Sequence, residues 1–177
     1  MDTVPLQIDI VSDVVCPWCI IGYKQLQRAL DQRPGQFDVS VRWHPFELNP
    51  DMPEQGQDIA EHMAMKYGAT PAQSSAARKR LVALGESLGF HFDDSGDRRM
   101  RNTFRAHQLL HWADQEGLQT ALKLALFEAY FSRGEDVSSP DVLAAVAASV
   151  GLDQDAAADV LADGRFADAV RAEQRLW

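Results

Sequence analysis

The spacing of hydrophobic positions changes period along this chain. Leu6-Gln7-Ile8-Asp9-Ile10-Val11 alternates apolar and polar residues and then runs apolar, as a β-strand does. Ser12-Asp13-Val14-Val15 leads into Cys16-Pro17-Trp18-Cys19. From there Ile20, Ile21, Tyr23, Leu26, Gln27 and Leu30 keep a helical period that stops near Pro34-Gly35. Phe37 to His44 reads as a second strand with Val39, Val41 and Trp43 on one face. Strand, helix and strand with short links form a βαβ unit, which predicts parallel strands and a right-handed crossover. Pro45 to Gly56, with three prolines, reads as an extended loop.

Everything after Gly56 reads as helical. Asp58 to Tyr67 is a short helix. Thr70-Pro71-Ala72-Gln73 supplies an N-cap, a proline at N1 and a glutamine at N3, a capping box for a helix running to about Leu88. Phe90 to Asp97 is a loop. Arg99 to Gln115 is helical, with Thr103, Ala106, Leu110 and Ala113 on one stripe, and Gly117 ends it. Leu118 to Phe131 is apolar nearly all round, the pattern of a buried central helix. Ser139-Pro140-Asp141 caps a helix to Val150, and two amphipathic stretches follow, one through Val160 and one from Arg165 to Trp177. No repeat of fixed period is present. The last stretch has no helix stop signal, and two parallel strands alone make a poor sheet, since parallel strands want cover on both faces and neighbours on both edges.

Composition narrows the function classes. The 177 residues are 46% hydrophobic and 24% charged, the profile of a globular chain with one substantial core. The 17 basic and 26 acidic residues give a net charge of −9, which argues against nucleic acid or an anionic membrane as partner. No apolar run approaches the roughly 18 residues of a membrane span. Met1-Asp2-Thr3-Val4-Pro5 lacks the features of a secretory signal, so a cytoplasmic location is expected. Asp93-Asp94-Ser95-Gly96-Asp97 reads as a solvated loop, because a calcium loop needs a later, spaced glutamate. Arg78-Lys79-Arg80 and Arg98-Arg99-Arg101 read as solvated helix faces rather than anion sites.

The two cysteines, Cys16 and Cys19, are the candidate chemistry. A pair three apart closes too small a loop to staple a fold. Structural zinc needs four ligands, and although His107 and His111 stand one helical turn apart, nothing ties them to the cysteine turn; no metal is expected. A redox dithiol remains. Cys16 falls at the N-cap of the first helix with Pro17 at N1, where unpaired N–H donors and a positive partial charge favour a thiolate. Cys19 is one turn inside, placed to attack a mixed disulfide. An exposed, attacking Cys16 and a buried, resolving Cys19 are expected, with Trp18 offering apolar contact to a partner. The alternative is a pair of inert core cysteines. Asp13 either raises the Cys16 pKa by charge repulsion or, the favoured reading, caps the turn.

The stretch from Asp9 to Gly22 around Cys16-Pro17-Trp18-Cys19 resembles the opening of DsbA-like thioredoxin-fold oxidoreductases of the FrnE branch. His44-Pro45-Phe46-Glu47-Leu48-Asn49-Pro50 and Asn102-Thr103-Phe104-Arg105-Ala106-His107 extend the likeness over the whole chain. The resemblance implies an α/β fold, a thioredoxin-like core with a large helical insertion. Residues 1–56 would be the first βαβ half, 57–162 the insertion, and 163–177 the start of a helix returning to the core. It implies thiol–disulfide exchange with protein or small-molecule substrates, Cys16 attacking and Cys19 resolving. No bound cofactor is implied, with glutathione a candidate co-substrate. Relatives continue into a strand preceded by a cis-proline, which faces the dithiol; here the last proline is Pro140, so the C-terminal strands are absent. That absence predicts an exposed strand edge and association into a homodimer. Kappa-type glutathione transferases and 2-hydroxychromene-2-carboxylate isomerases share the layout but carry serine at the first cysteine, so a glutathione-dependent isomerase or transferase is the second reading. By the same likeness Asn102 and His107 fall beside the substrate cleft, each with a plainer alternative: helix N-cap for Asn102, satisfied histidine for His107. A redox-silent binding or chaperone module is the third reading.

Overall fold

A computed structural model of the chain describes residues 3–95 and 98–177. Met1 and Asp2 of the opening segment, and Gly96 and Asp97 of the acidic loop, lie outside the described residues. Strand β1 (Val4–Ser12) pairs in parallel with β2 (Phe37–Pro45), from Val4 opposite Phe37 to Ser12 opposite Pro45. Helix α1 (Pro17–Asp31) connects them. The period of two holds along β2, with Val39 and Val41 half-buried between exposed Asp38, Ser40 and Arg42.

At Trp43 the strand passes under the helices, and there the two parts of the chain are fastened. Gln119 accepts the Trp43 N–H on Oε1 at 2.8 Å and donates Nε2 to the Trp43 carbonyl at 3.0 Å. One side chain thus satisfies both backbone groups that a neighbouring strand would otherwise pair. The Trp43 indole donates to Thr120 at 3.0 Å and packs 5.1 Å from Tyr23 and 6.1 Å from Phe127, centre to centre.

The remaining helices are α2 (Ile59–Tyr67), α3 (Pro71–Ser87), α4 (Phe104–Gln115), α5 (Gln119–Phe127), α6 (Pro140–Ser149), α7 (Gln154–Asp163) and α8 (Ala167–Leu176). The Thr70 capping box forms as the spacing predicts, with both reciprocal bonds present. Thr103, Ala106, Leu110 and Ala113 line the buried side of α4, and Leu122, Leu126 and Phe127 of α5 are wholly buried. Helix α8 lies on β2, where His44 sits between Asp9 (2.7 Å) and Glu173 (2.5 Å) and under the Trp177 ring.

Tertiary contacts override the helical reading in several places. Two short strands, β3 (Gln57–Asp58) and β4 (Arg99–Met100), form an antiparallel ladder. Arg99 therefore belongs to a strand, and the helix expected from it begins at Phe104. Gly56 precedes the ladder at φ +68°, and a Cβ there would lie 2.3 Å from the Met100 carbonyl oxygen. The Arg98-Arg99-Arg101 group is not a solvated helix face: Arg98 is buried and Arg101 pairs with Asp136 at 2.8 Å. The buried helix leaves α geometry after Phe127, and Glu128–Ser132 form a π-helical turn. That turn brings the Tyr130 hydroxyl to the Arg99 carbonyl at 3.0 Å and Phe131 against Phe90 and Phe92. Ser139 holds the N-cap position of α6 without a side-chain bond.

Candidate active site

The Ser12-to-Val15 segment is buried between the sheet and the helices, and it delivers the chain to the start of α1 with Cys16 as N-cap and Pro17 at N1. Cys16 is extended (φ −91°, ψ 109°) at the start of the helix, where the amides of the first turn have no partner within the helix. The Cys16 N–H is held by the Asp13 carbonyl at 3.2 Å, and the Cys19 N–H by the Cys16 carbonyl at 3.2 Å. Both cysteines are free thiols.

The pair is electrically asymmetric. Hydrogen bonding from the Cys19 thiol, helped by the Cys19 and Trp18 N–H groups, draws the Cys16 pKa down from 9.0 to about 7, against burial and the Asp13 charge. The Cys19 pKa is raised by that same contact and by burial. The expected difference in exposure is absent, since both thiols are half-buried. The distinction between them lies in which sulfur gives the proton and which receives it. Trp18, 63% exposed, and Phe46, 46% exposed, are open apolar surface.

Asp13 does not cap the turn, because no side chain caps α1. Its carboxylate is buried, accepting the Leu48 N–H at 2.8 Å and facing His107 Nε2 at 3.2 Å. The same His107 nitrogen lies 3.1 Å from the Phe46 carbonyl; with two acceptors before it, this nitrogen carries the hydrogen. Burial by itself would raise the Asp13 pKa, but the His107 bond and charge and the Leu48 amide bring it below the ordinary value. His107 therefore braces the segment ahead of Cys16 and the loop after β2. Asn102 accepts the Phe104 N–H at 3.0 Å and donates to the Met52 carbonyl at 2.9 Å, tying that loop to α4; the N-cap position itself is Thr103. Asn102 also lines a cavity with Glu47, Phe104, Gln108 and Arg171, while His107 does not. His111 lies apart, 3.7 Å from Glu173 and against Phe166. Among the described residues no three His, Cys, Asp or Glu side chains form a metal-binding group.

The residue that pattern reading overlooked is Lys123. It interrupts the apolar α5 run, and that lone cation inside a buried helix was the available signal. Its ammonium is wholly buried, 5.4 Å from the Trp43 ring centre and 5.2 Å from that of Phe127. Burial pushes its pKa down to about 8, while Asp13, Cys19 and Cys16 hold it up. It is a fixed positive charge in the field of both sulfurs and of Asp13.

Residues 7–177 match the model of the DSBA-like thioredoxin domain, and the chain belongs to that family. A probable DsbA oxidoreductase from Streptomyces coelicolor shares 32% identity and superposes with a TM-score of 0.86, over 96% of this chain and 73% of that one. YwbO of Bacillus subtilis, an uncharacterized protein, is 25% identical over 84% of this chain and 68% of its own length. The fold is shared with the cytosolic disulfide reductase DsbM of Pseudomonas aeruginosa, solved with GSH, at TM-score 0.64 and 16% identity over 96% of this chain and 76% of that chain. It is also shared with a 2-hydroxychromene-2-carboxylate isomerase, at TM-score 0.68 and 12% identity over 97% and 78%. The architecture is thus the DsbA-like α/β one, within a family of redox enzymes. No described helix is long and apolar enough to cross a membrane.

Proposed function

We propose that this protein is a thiol–disulfide oxidoreductase in which Cys16 attacks and Cys19 resolves. The observation that carries this reading is the placement of Cys16 as N-cap of α1, followed by Pro17 at N1, with Cys19 one turn further along the same helix. The Cys16 thiolate attacks one sulfur of a substrate disulfide, that S–S bond breaks, and the first substrate thiolate leaves. Cys19 then loses its proton and attacks the Cys16 sulfur, expelling the second substrate thiol. Two electrons pass from the dithiol to the substrate, and running the steps backward oxidises a substrate dithiol. Lys123 steadies the negative charge that arises on Cys19 in the second step. Trp18, beside the pair, supplies apolar contact to the substrate.

The cytosolic disulfide reductase solved with GSH supports glutathione as a small co-substrate and a cytoplasmic setting. Insulin reduction by wild type and by Cys16→Ser tests the proposal. Turnover abolished in the variant is expected. Equal rates would defeat it, and suppression of aggregation that survives loss of both cysteines would favour a binding module instead.

A further inference from the structure

Beside the dithiol's support lies a cavity whose charges nothing in the exchange mechanism uses. It measures about 280 Å³ and sits between the 46–56 loop, the start of α4, and α8. Gln108, in its lining, is 5% exposed, and its Oε1 is buried without a hydrogen-bond partner. A buried amide oxygen without a partner is costly, and a donor entering the cavity that Gln108 lines would relieve that cost.

Two opposite charges stand over it. Arg171 is stacked on the Phe104 ring at 4.3 Å and takes part in no ion pair among the described residues. The Glu47 carboxylate is held by the Gln174 amide at 3.0 Å and has no cationic partner among the described residues. The other charges in the wall, Arg105 and Glu54, neutralise each other at 3.2 Å. What remains is one guanidinium, one carboxylate and one unpaired amide oxygen. A guanidinium takes a carboxylate, and a carboxylate with an amide oxygen takes an ammonium, so the set complements the head group of a free α-amino acid. The wall bearing Glu47 continues into Leu48, whose N–H is bound by Asp13, and Asp13 also holds the Cys16 N–H. Asp13 thus touches both the loop that carries Glu47, through its carboxylate, and the turn that carries Cys16, through its backbone carbonyl.

We propose that this cavity seats the α-amino-acid head group of a low-molecular-weight disulfide such as cystine, with its sulfurs brought toward Cys16. The proposal rests on the thiol–disulfide reading above and names a substrate class for it. In the exchange the cystine S–S bond breaks and a Cys16–Cys19 bond forms. The protein dithiol is oxidised by two electrons, cystine is reduced, and the two protein protons pass to the two released cysteine thiols.

The test compares oxidation of the reduced protein by cystine and by bis(2-hydroxyethyl) disulfide, which has the same bond and no charges. The rate ratio should exceed about tenfold in wild type and fall several-fold in both Arg171→Gln and Glu47→Gln. Lanthionine, a thioether analogue of cystine that cannot exchange, should bind Cys16→Ser in calorimetry and lose affinity when either charge is also removed. An unchanged ratio in both charge variants, or lanthionine binding indifferent to them, overturns the proposal while leaving the dithiol intact. Should neither disulfide oxidise wild type faster than Cys16→Ser, the dithiol reading falls, and lanthionine binding still decides on the cavity.

Discussion

Replacing Cys19 by alanine should lift the Cys16 pKa, because the Cys19 thiol is the largest of the influences drawing it down to about 7 from 9.0. At pH 7 a thiol of pKa 7 is about half ionised, and one of pKa 9 about 1% ionised, so full loss of the effect removes roughly fifty-fold of the thiolate. The Cys19 and Trp18 amides remain in Cys19→Ala, which limits the rise to part of that range. A rise of about one unit cuts the thiolate roughly fivefold, yet each remaining thiolate becomes about threefold more nucleophilic, since reactivity grows with basicity at a Brønsted slope of about 0.4–0.5. The net rate at pH 7 would then change by only about twofold. A single-pH rate is therefore a poor readout, and the midpoint of the pH profile is the right one. The ultraviolet absorbance of the thiolate and the pH dependence of the first exchange step with a small disulfide should both move their midpoint upward. A midpoint still at about 7 in Cys19→Ala would refute the reasoning and assign the whole effect to the helix terminus.

Stability of the reduced protein should rise with pH between about 7 and 9, because the folded-state pKa of Cys16 is depressed and the unfolded chain binds more protons in that window. The gain is lost as pH falls through 7; at this partly open site it amounts to about 1 kcal/mol, and urea melts of Cys16→Ser should lack the part between about 7 and 8, while Lys123 keeps a rise above about 8. Lys123→Met removes the buried cation and should raise the Cys16 midpoint in the same absorbance titration, and it should also lower stability, because the buried Asp13 charge loses a compensating cation. Gly85→Ala should lower the melting temperature at a cost of about 1–3 kcal/mol, because its Cβ would sit 2.5 Å from the Phe92 ring and 2.7 Å from the Phe90 carbonyl. Gln119→Ala should cost about 2–4 kcal/mol in urea unfolding, leaving the buried Trp43 N–H and carbonyl without partners.

Local chemistry carried much of this molecule in readable form. The parallel βαβ unit, the proline-led start of α1 and the Thr70 capping box each depend on residues within a few positions of one another, and each formed as spacing dictates. The same holds for Cys16 at a helix N-cap, which needs only the order Cys-Pro-Trp-Cys after a strand. The β3–β4 ladder was hidden because Gln57 and Met100 meet across more than forty residues, and neither pair of residues is long enough to show a period. The π-helical turn was hidden too, since Glu128 to Ser132 reads as ordinary helix until Tyr130 and Phe131 find distant partners.

The site divides along the same line. Sequence by itself was enough to place the candidate nucleophile, Cys16, at a helix N-cap, because that placement needs only neighbouring residues. Only the tertiary structure decided its surroundings: Asp13 turned inward to His107 and Leu48, Lys123 brought from α5 into the field of the sulfurs, and Arg171 from α8 set opposite Glu47. Those groups lie scores of residues apart in the chain, and a charge buried by a distant helix leaves no local period to read. Burial then makes the charge matter, for with little water between them a lysine and two thiols interact strongly.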